Sequence, residues 1–108
     1  LFSNKASLAA RIQQASRGTG EVVWPLPLHQ PYRAQLDSDV ADLVNSSPEG
    51  YAGAITAALY LNEFVPESLD WAHLDVMAWN TRARAGRPKG GEAMGLLTLF
   101  KYLSERYL

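Results

Sequence analysis

The sequence predicts a mixed fold of helices and sheet, on three observations. Apolar residues recur at helical spacing near both ends, with Leu8, Ile12 and Ala15 in one stripe and Ala93, Leu96, Leu97, Phe100, Leu103 and Tyr107 in another. Trp71 to Met77 has a period of two, which sets Trp71, His73, Asp75 and Met77 on one face and Ala72, Leu74 and Val76 on the other. That is a strand largely covered on both sides. Ala52 to Val65 is apolar on nearly every side, interrupted only by Thr56 and the Asn62-Glu63 end, so it reads as a helix buried on most faces.

In chain order, the first helix is expected from Lys5 to Arg17, with Ser3 or Asn4 as N-cap and Gly18 as its stop. Arg11, Gln14 and Arg17 fall on its outer face. A short extended run, Val22 to Trp24, follows. Pro25, Pro27 and Pro31 then force an open path until Tyr32 to Leu36 makes a brief helix with Pro31 in its first turn. Asp37 to Asn45 mixes acids with Val40, Ala41, Leu43 and Val44 and selects no secondary structure, and Ser46 to Gly50 reads as a loop. Within Ala52 to Val65, the small residues Gly53, Ala54, Ala57 and Ala58 admit a neighbouring backbone closely. A free domain of 108 residues has little protein with which to cover so apolar a helix. After the Trp71 to Met77 strand, Thr81 to Gly91 is a basic, Gly-rich loop. Glu92 to Tyr107 is the last helix, with Lys101, Ser104 and Glu105 toward water.

No repeat, low-complexity tract or linker divides the chain, so 1–108 reads as part of one domain. At this length roughly two thirds of the unfolded surface would be buried on folding, which leaves a chain that is marginal alone or dependent on a neighbour. It opens on Leu1 with no charged-then-apolar leader, so the simplest expectation is a cut from something longer. The absence of Cys excludes disulfides, thiolate metal sites and a Cys nucleophile, and fits a reducing compartment. The longest nearly apolar run, Ala52 to Leu61, is about half the ~20 residues a bilayer span needs, so a soluble protein and no membrane partner are expected.

The net charge is only -1, yet no Lys or Arg occurs between Ala34 and Thr81, where Asp37, Asp39, Asp42, Glu49, Glu63, Glu67, Asp70 and Asp75 lie. A solvated face is the plain reading of such a run. His73 and Asp75 are the best acid/base or metal pair, since i and i+2 on a strand point the same way. A metal site needs three or four ligands, however, and the other His is His29 in the proline-rich segment, so a structural pair is the preferred reading. No G-x-S-x-G elbow marks a nucleophilic Ser. Asp37, Asp39 and Asp42 fail the calcium-loop template, which would put Ala41 at a ligand position, Asp42 at the glycine and Pro48 at the closing Glu. Arg82 to Lys89 carries four cations before a helix N-terminus, but it lacks a P-loop's Lys-Ser/Thr and any interleaved aromatic residue. Nucleic acid is therefore not the expected partner. A non-catalytic binding or regulatory module using loop 82–89 on an anionic partner stays as the alternative function.

A series of segments in order carries more than any of these: Trp24-Pro25-Leu26-Pro27-Leu28, Tyr32, Ser38-Asp39-Val40-Ala41-Asp42-Leu43 with Asn45, Gly53-Ala54-Ile55-Thr56-Ala57-Ala58, Phe64-Val65, Trp71-Ala72-His73-Leu74-Asp75, and Gly95 opening the last helix. In order and spacing the chain resembles the C-terminal part of the catalytic domain of leucyl (cytosol) aminopeptidases. The resemblance covers nearly all of it. It implies an α/β, zinc-exopeptidase-like three-layer domain, a mixed sheet with helices on both faces, of which this is the C-terminal segment.

The resemblance further implies a cytoplasmic metallopeptidase that releases N-terminal amino acids from peptides and assembles as a hexamer. It would use two divalent ions, zinc, manganese or magnesium, held by carboxylates and a lysine amine. The two motifs that carry those ligands, V-G-K-G and N-T-D-A-E-G-R, do not occur here, so no catalytic or metal-ligating residue carries over. What carries over is substrate-pocket wall just after the H-L-D strand: Met77, Ala78 and Asn80, with Trp79 beside them. Many relatives have Ala-Gly there, so Met77-Ala78-Trp79-Asn80 puts a preference for leucine in doubt. Met is also more often core than pocket.

Overall fold

A computed structural model describes all residues 1–108, which form two compact units. One comprises residues 1–9 and 25–75, the other residues 10–24 and 76–108.

In the first unit, β1 (Phe2–Ser3) pairs antiparallel with β2 (Ala72–His73), Phe2 opposite His73 and Ser3 opposite Ala72. The ladder is short because Asn4 replaces it with side-chain bonds. The Asn4 amide donates to Leu69 O at 2.8 Å, the Trp71 N–H donates to Asn4 Oδ1 at 2.9 Å, and Ser3 Oγ donates to Trp71 O at 2.6 Å. The two residues expected to cap the first helix thus fasten segment 69–71, and α1 (Ala6–Arg17) starts one residue later than its pattern suggests. The strand expected over Trp71 to Met77 is confined to β2. No strand pairing extends over Leu74 to Met77, and strand geometry without a neighbouring ladder is not held.

Pro31 opens a 3-10 helix over Gln30–Leu36, whose Leu36 is buried and which packs on α2 (Gly53–Asn62). Arg33 ties the two, reaching Asp37 at 2.7 Å and Glu63 from its other side. Residues 38–52 form no helix or strand. Ser38 Oγ accepts the N–H groups of Val40 and Ala41, the Val44 N–H donates to Leu36 O, and Ser47 Oγ donates to Gln35. Turn-making there falls to serine, while Asp39 and Asp42 remain exposed. In α2 only Thr56, Ala58 and Leu59 are buried, and Leu61 and nearby Phe64 stand open. The expectation that most faces of this helix are covered therefore needs correction for this chain, where the 3-10 helix packs on it and Ala57 and Leu61 remain exposed. Thr56 is tolerated on the covered face because its hydroxyl donates to Gly53 O at 3.1 Å.

In the second unit, the later part of α1 buries Ile12, Ala15 and Ser16, and α3 runs over Leu96–Tyr107 behind a left-handed Gly95 at φ 89°. The α3 stripe is the reverse of its periodicity reading. Thr98 and Tyr102 are buried, whereas Leu96 is 61% exposed, Phe100 68% and Tyr107 68%. Sequence spacing says which residues share a face, not which face a neighbour covers. Here the polar side wins the contact because it finds partners: Thr98 Oγ1 lies 3.2 Å from Thr19 Oγ1, and Lys101 lies over Gly18. Lys101 and Ser104 are consequently half-buried instead of facing water.

Candidate functional site

The residues expected to line a substrate pocket occupy the entry to a β-hairpin. Ala78 sits at φ 53°, a left-handed position uncommon for a residue with a Cβ. It turns the chain into β3 (Trp79–Asn80), which pairs antiparallel with β4 (Gly90–Gly91), Trp79 opposite Gly91 and Asn80 opposite Gly90. The Glu92 N–H donates to Ala78 O at 3.0 Å and closes the base of the hairpin.

The Thr81 to Gly91 stretch is thus an ordered hairpin instead of an open loop. Arg84 and Arg87 exchange both backbone hydrogen bonds at 2.9 Å, with Gly86 at φ 71° between them supplying the turn. Asn80 is buried, and its amide donates to Arg87 O at 3.1 Å and Pro88 O at 2.8 Å. Of the pocket-wall residues, Asn80 is therefore turned into the hairpin, while Met77, Ala78 and Trp79 stand at the surface, Met77 at 66% exposure.

Glu92 anchors the whole element. Its Oε1 accepts from Arg84 at 2.6 Å and from Arg87 at 2.9 Å, while its Oε2 is buried with no hydrogen-bond partner. Two of the four cations of loop 82–89 thereby share one carboxylate inside the element, which engages both guanidiniums within the chain and argues against the alternative anion-binding reading. Sequence reasoning assigned Glu92 only as the first residue of a helix; the signal for its clamp was a lone acid directly after a run of cations.

Glu21 is the second acid that the sequence left without a role. Its carboxylate accepts the Thr98 N–H at 2.8 Å and the Leu97 N–H at 3.3 Å, and so caps α3 from outside the helix. Partial desolvation works against the charged form. The N–H groups of Thr98, Leu97 and Gly95 and the Thr98 hydroxyl outweigh it and hold the Glu21 pKa below its ordinary value.

His73 does not pair with Asp75. Its ring stacks on Trp71 with centroids 6.1 Å apart and planes 5° from parallel, and on Phe2 at 6.1 Å, so it is a packed aromatic element of the β1/β2 pair. No group of three or more His, Asp or Glu in the chain converges as metal ligands would, so these residues do not fit a two-metal centre. No helix is long and apolar enough to cross a membrane.

The profile of the cytosol aminopeptidase family, catalytic domain, matches residues 1–100. A probable cytosol aminopeptidase of Desulfovibrio desulfuricans is 47% identical over 104 residues, covering 94% of this chain and 20% of that protein. The crystal structure of the cytosol aminopeptidase from Coxiella burnetii superposes with a TM-score of 0.93 at 52% identity, over 99% of this chain and 23% of that one. The bottromycin maturation enzyme BotP, in complex with Mn, superposes with a TM-score of 0.91 at 37% identity, over 97% of this chain and 24% of BotP. The chain spans about a fifth of the length of the relatives it matches. The family expected from the ordered segments, and the mixed α/β class with it, are those found: the chain belongs to the cytosol aminopeptidase family, as part of its catalytic domain.

Proposed function

We propose that this chain is the C-terminal scaffold and substrate-pocket wall of a metal-dependent aminopeptidase that releases N-terminal amino acids from peptides. The family match over residues 1–100 carries the reading. Two divalent ions, zinc or manganese, would be held by carboxylates and a lysine amine supplied by the N-terminal remainder of the catalytic domain, because no ligand cluster exists in this chain. The Mn complex of BotP supports a divalent metal in the parent. The parent would act in the cytoplasm, consistent with the names of the relatives, as a homo-oligomer of the hexameric kind.

Within that enzyme the chain's own contribution is positional. The left-handed turn at Ala78, closed by the Glu92 N–H, sets Met77 and Trp79 outward, and Asn80 locks the turn from inside. In this reading Met77 and Ala78 present the wall against which the substrate's first side chain rests, Asn80 holds it from behind, and Met77 is its variable element. The 108-residue chain alone would show no turnover of a leucyl chromogenic substrate with Mn²⁺; clear metal-dependent turnover would overturn the assignment. In the full-length enzyme, Met77→Ala is expected to change the ratio of kcat/KM values for leucyl and alanyl substrates by about tenfold, the range a few methylenes in an apolar pocket command. An unchanged ratio removes Met77 from the pocket.

A further inference from the structure

Little backbone pairing holds hairpin 79–91. β3 and β4 pair over two residues each, followed by the Arg84–Arg87 bridge at the tip. Because β4 is Gly90-Gly91, it offers no side chain to pack against Trp79 or Asn80 across the ladder. So short a ladder is marginal in water, and a glycine strand specifies its register weakly. A slip of one residue would exchange the faces of Trp79 and Asn80 and displace the Met77-Ala78 turn that leads into them. Ala78 adds a cost of its own, since a left-handed φ of 53° persists only where the surroundings hold it.

Glu92 meets both weaknesses. Its main-chain N–H donates to Ala78 O at 3.0 Å. Its side chain, 7% exposed, reaches the tip, where Oε1 accepts from Arg84 Nη2 at 2.6 Å and from Arg87 Nη1 at 2.9 Å. Arg84 and Arg87 also exchange both backbone hydrogen bonds, so a carboxylate bonded to the two guanidiniums is satisfied in this register and loses a partner in a shifted one. Charge-assisted bonds of this kind are stronger than neutral ones. We infer that Glu92 is a positioning residue for substrate choice: without touching substrate, its grip on Arg84, Arg87 and the Ala78 carbonyl fixes the hairpin register and so the place of Met77 and Ala78 in the pocket wall. The inference rests on the reading of those two residues as pocket wall, and adds to it the device that sets the wall.

The test uses the full-length enzyme and the ratio of its kcat/KM values for leucyl and alanyl substrates. Glu92→Gln keeps the size and an acceptor oxygen and removes the charge. It should shift the ratio by about fivefold, chiefly through the KM of the leucyl substrate, as a small displacement of an apolar wall commands. Arg84→Gln and Arg87→Gln should each shift it in the same direction by about twofold to threefold. These two side chains are the more exposed, 61% and 40%, and decide the matter where Glu92→Gln does not fold. Arg82→Gln, on the same hairpin outside the clamp, should leave the ratio unchanged. In a Met77→Ala background the effect of Glu92→Gln on the ratio should vanish, because the clamp acts through the side chain it positions. A residue that serves stability alone would lower kcat for both substrates, or the urea midpoint, at an unchanged ratio. That outcome, or an effect that persists in full without the Met77 side chain, overturns the inference. Where Met77→Ala shifts the ratio and the clamp variants do not, the clamp alone fails; where Met77→Ala leaves it unchanged, the pocket wall fails and the clamp's role in substrate choice with it.

Discussion

Single acids order much of the irregular backbone, and their effects are distinct enough to measure. Glu21 caps α3 only as a carboxylate, and its pKa is lowered in the folded chain. A depressed folded pKa means a contribution that is complete above the unfolded glutamate range and is lost as pH falls through the lower folded value. Urea unfolding should therefore show a stability loss below about pH 4.5 that Glu21→Gln flattens, with the variant less stable by about 1 kcal/mol at pH 7, the usual worth of a cap and its helix-dipole contact. Parallel pH profiles for the two proteins would contradict this. Ala78 is the opposite case, a residue whose Cβ is a burden at φ 53°. Ala78→Gly should raise stability by about 0.5–1 kcal/mol, because the left-handed region is costly for Ala and open to Gly. A lower urea midpoint in that variant would show that the lost Cβ contact outweighs the relieved strain. Neither position was readable in advance: Glu21 meets an N–H 77 residues away, and a positive φ at Ala78 is set by the hairpin that follows.

Among the elements, the helices were legible in extent and misleading in orientation. Period and caps fixed α1 to within a residue, since these are local properties of the chain, but they started α3 at Glu92, before its observed first residue Leu96, and Gly95 at its head came from the family resemblance. Which face of α3 is covered is not local. The apolar stripe Leu96, Leu97, Phe100, Leu103 and Tyr107 is exposed, while Thr98 and Tyr102, hydrogen-bonding residues on the other face, are buried. Strand length failed for a related reason: alternation over Trp71 to Met77 describes two covered faces, but a strand exists only where a ladder partner runs, and β1 supplies two residues of it. Asn4 then continues the attachment with its side chain. Asn4→Ala should cost about 1–2 kcal/mol by removing bonds to Leu69 and Trp71, read as a shift in urea midpoint with unchanged slope. A shift within error would mean that Ser3 and the backbone hold segment 69–71 unaided. Phe100→Ser, at an open site in this chain, should leave the stability of the 108 residues nearly unchanged yet destabilise the full-length protein, if the stripe is covered there. Equal effects in both would show that α3 stays uncovered.

For the molecule as a whole, the stretch proposed as pocket wall was legible as a turn and not in its contacts. The ordered segments located the turn at 77–80 because a family's spacing is preserved in sequence. The clamp by Glu92, the inward Asn80 and the stacked His73 follow only from tertiary contacts. The apolar surplus noted in the sequence has the same origin as the reversed α3 face. Leu61 in α2, Phe64 just beyond it, and Leu96, Phe100 and Leu103 on α3 are large apolar side chains left in water by a chain a fifth as long as its relatives. Surface of that kind on a soluble monomer marks an interaction site. It also lowers the surface change on unfolding, which sets the denaturant slope. The isolated 108 residues should therefore bind the dye ANS in their folded state and unfold in urea with a slope per residue clearly below that of the full-length protein. Covering those faces would reverse both readouts, so adding the remainder of the catalytic domain in trans should quench the dye signal and steepen the transition. A chain that excludes ANS and unfolds with an ordinary slope for its length would instead be self-sufficient, and the dependence on a neighbouring segment argued from Leu61, Phe64 and the α3 stripe would be wrong.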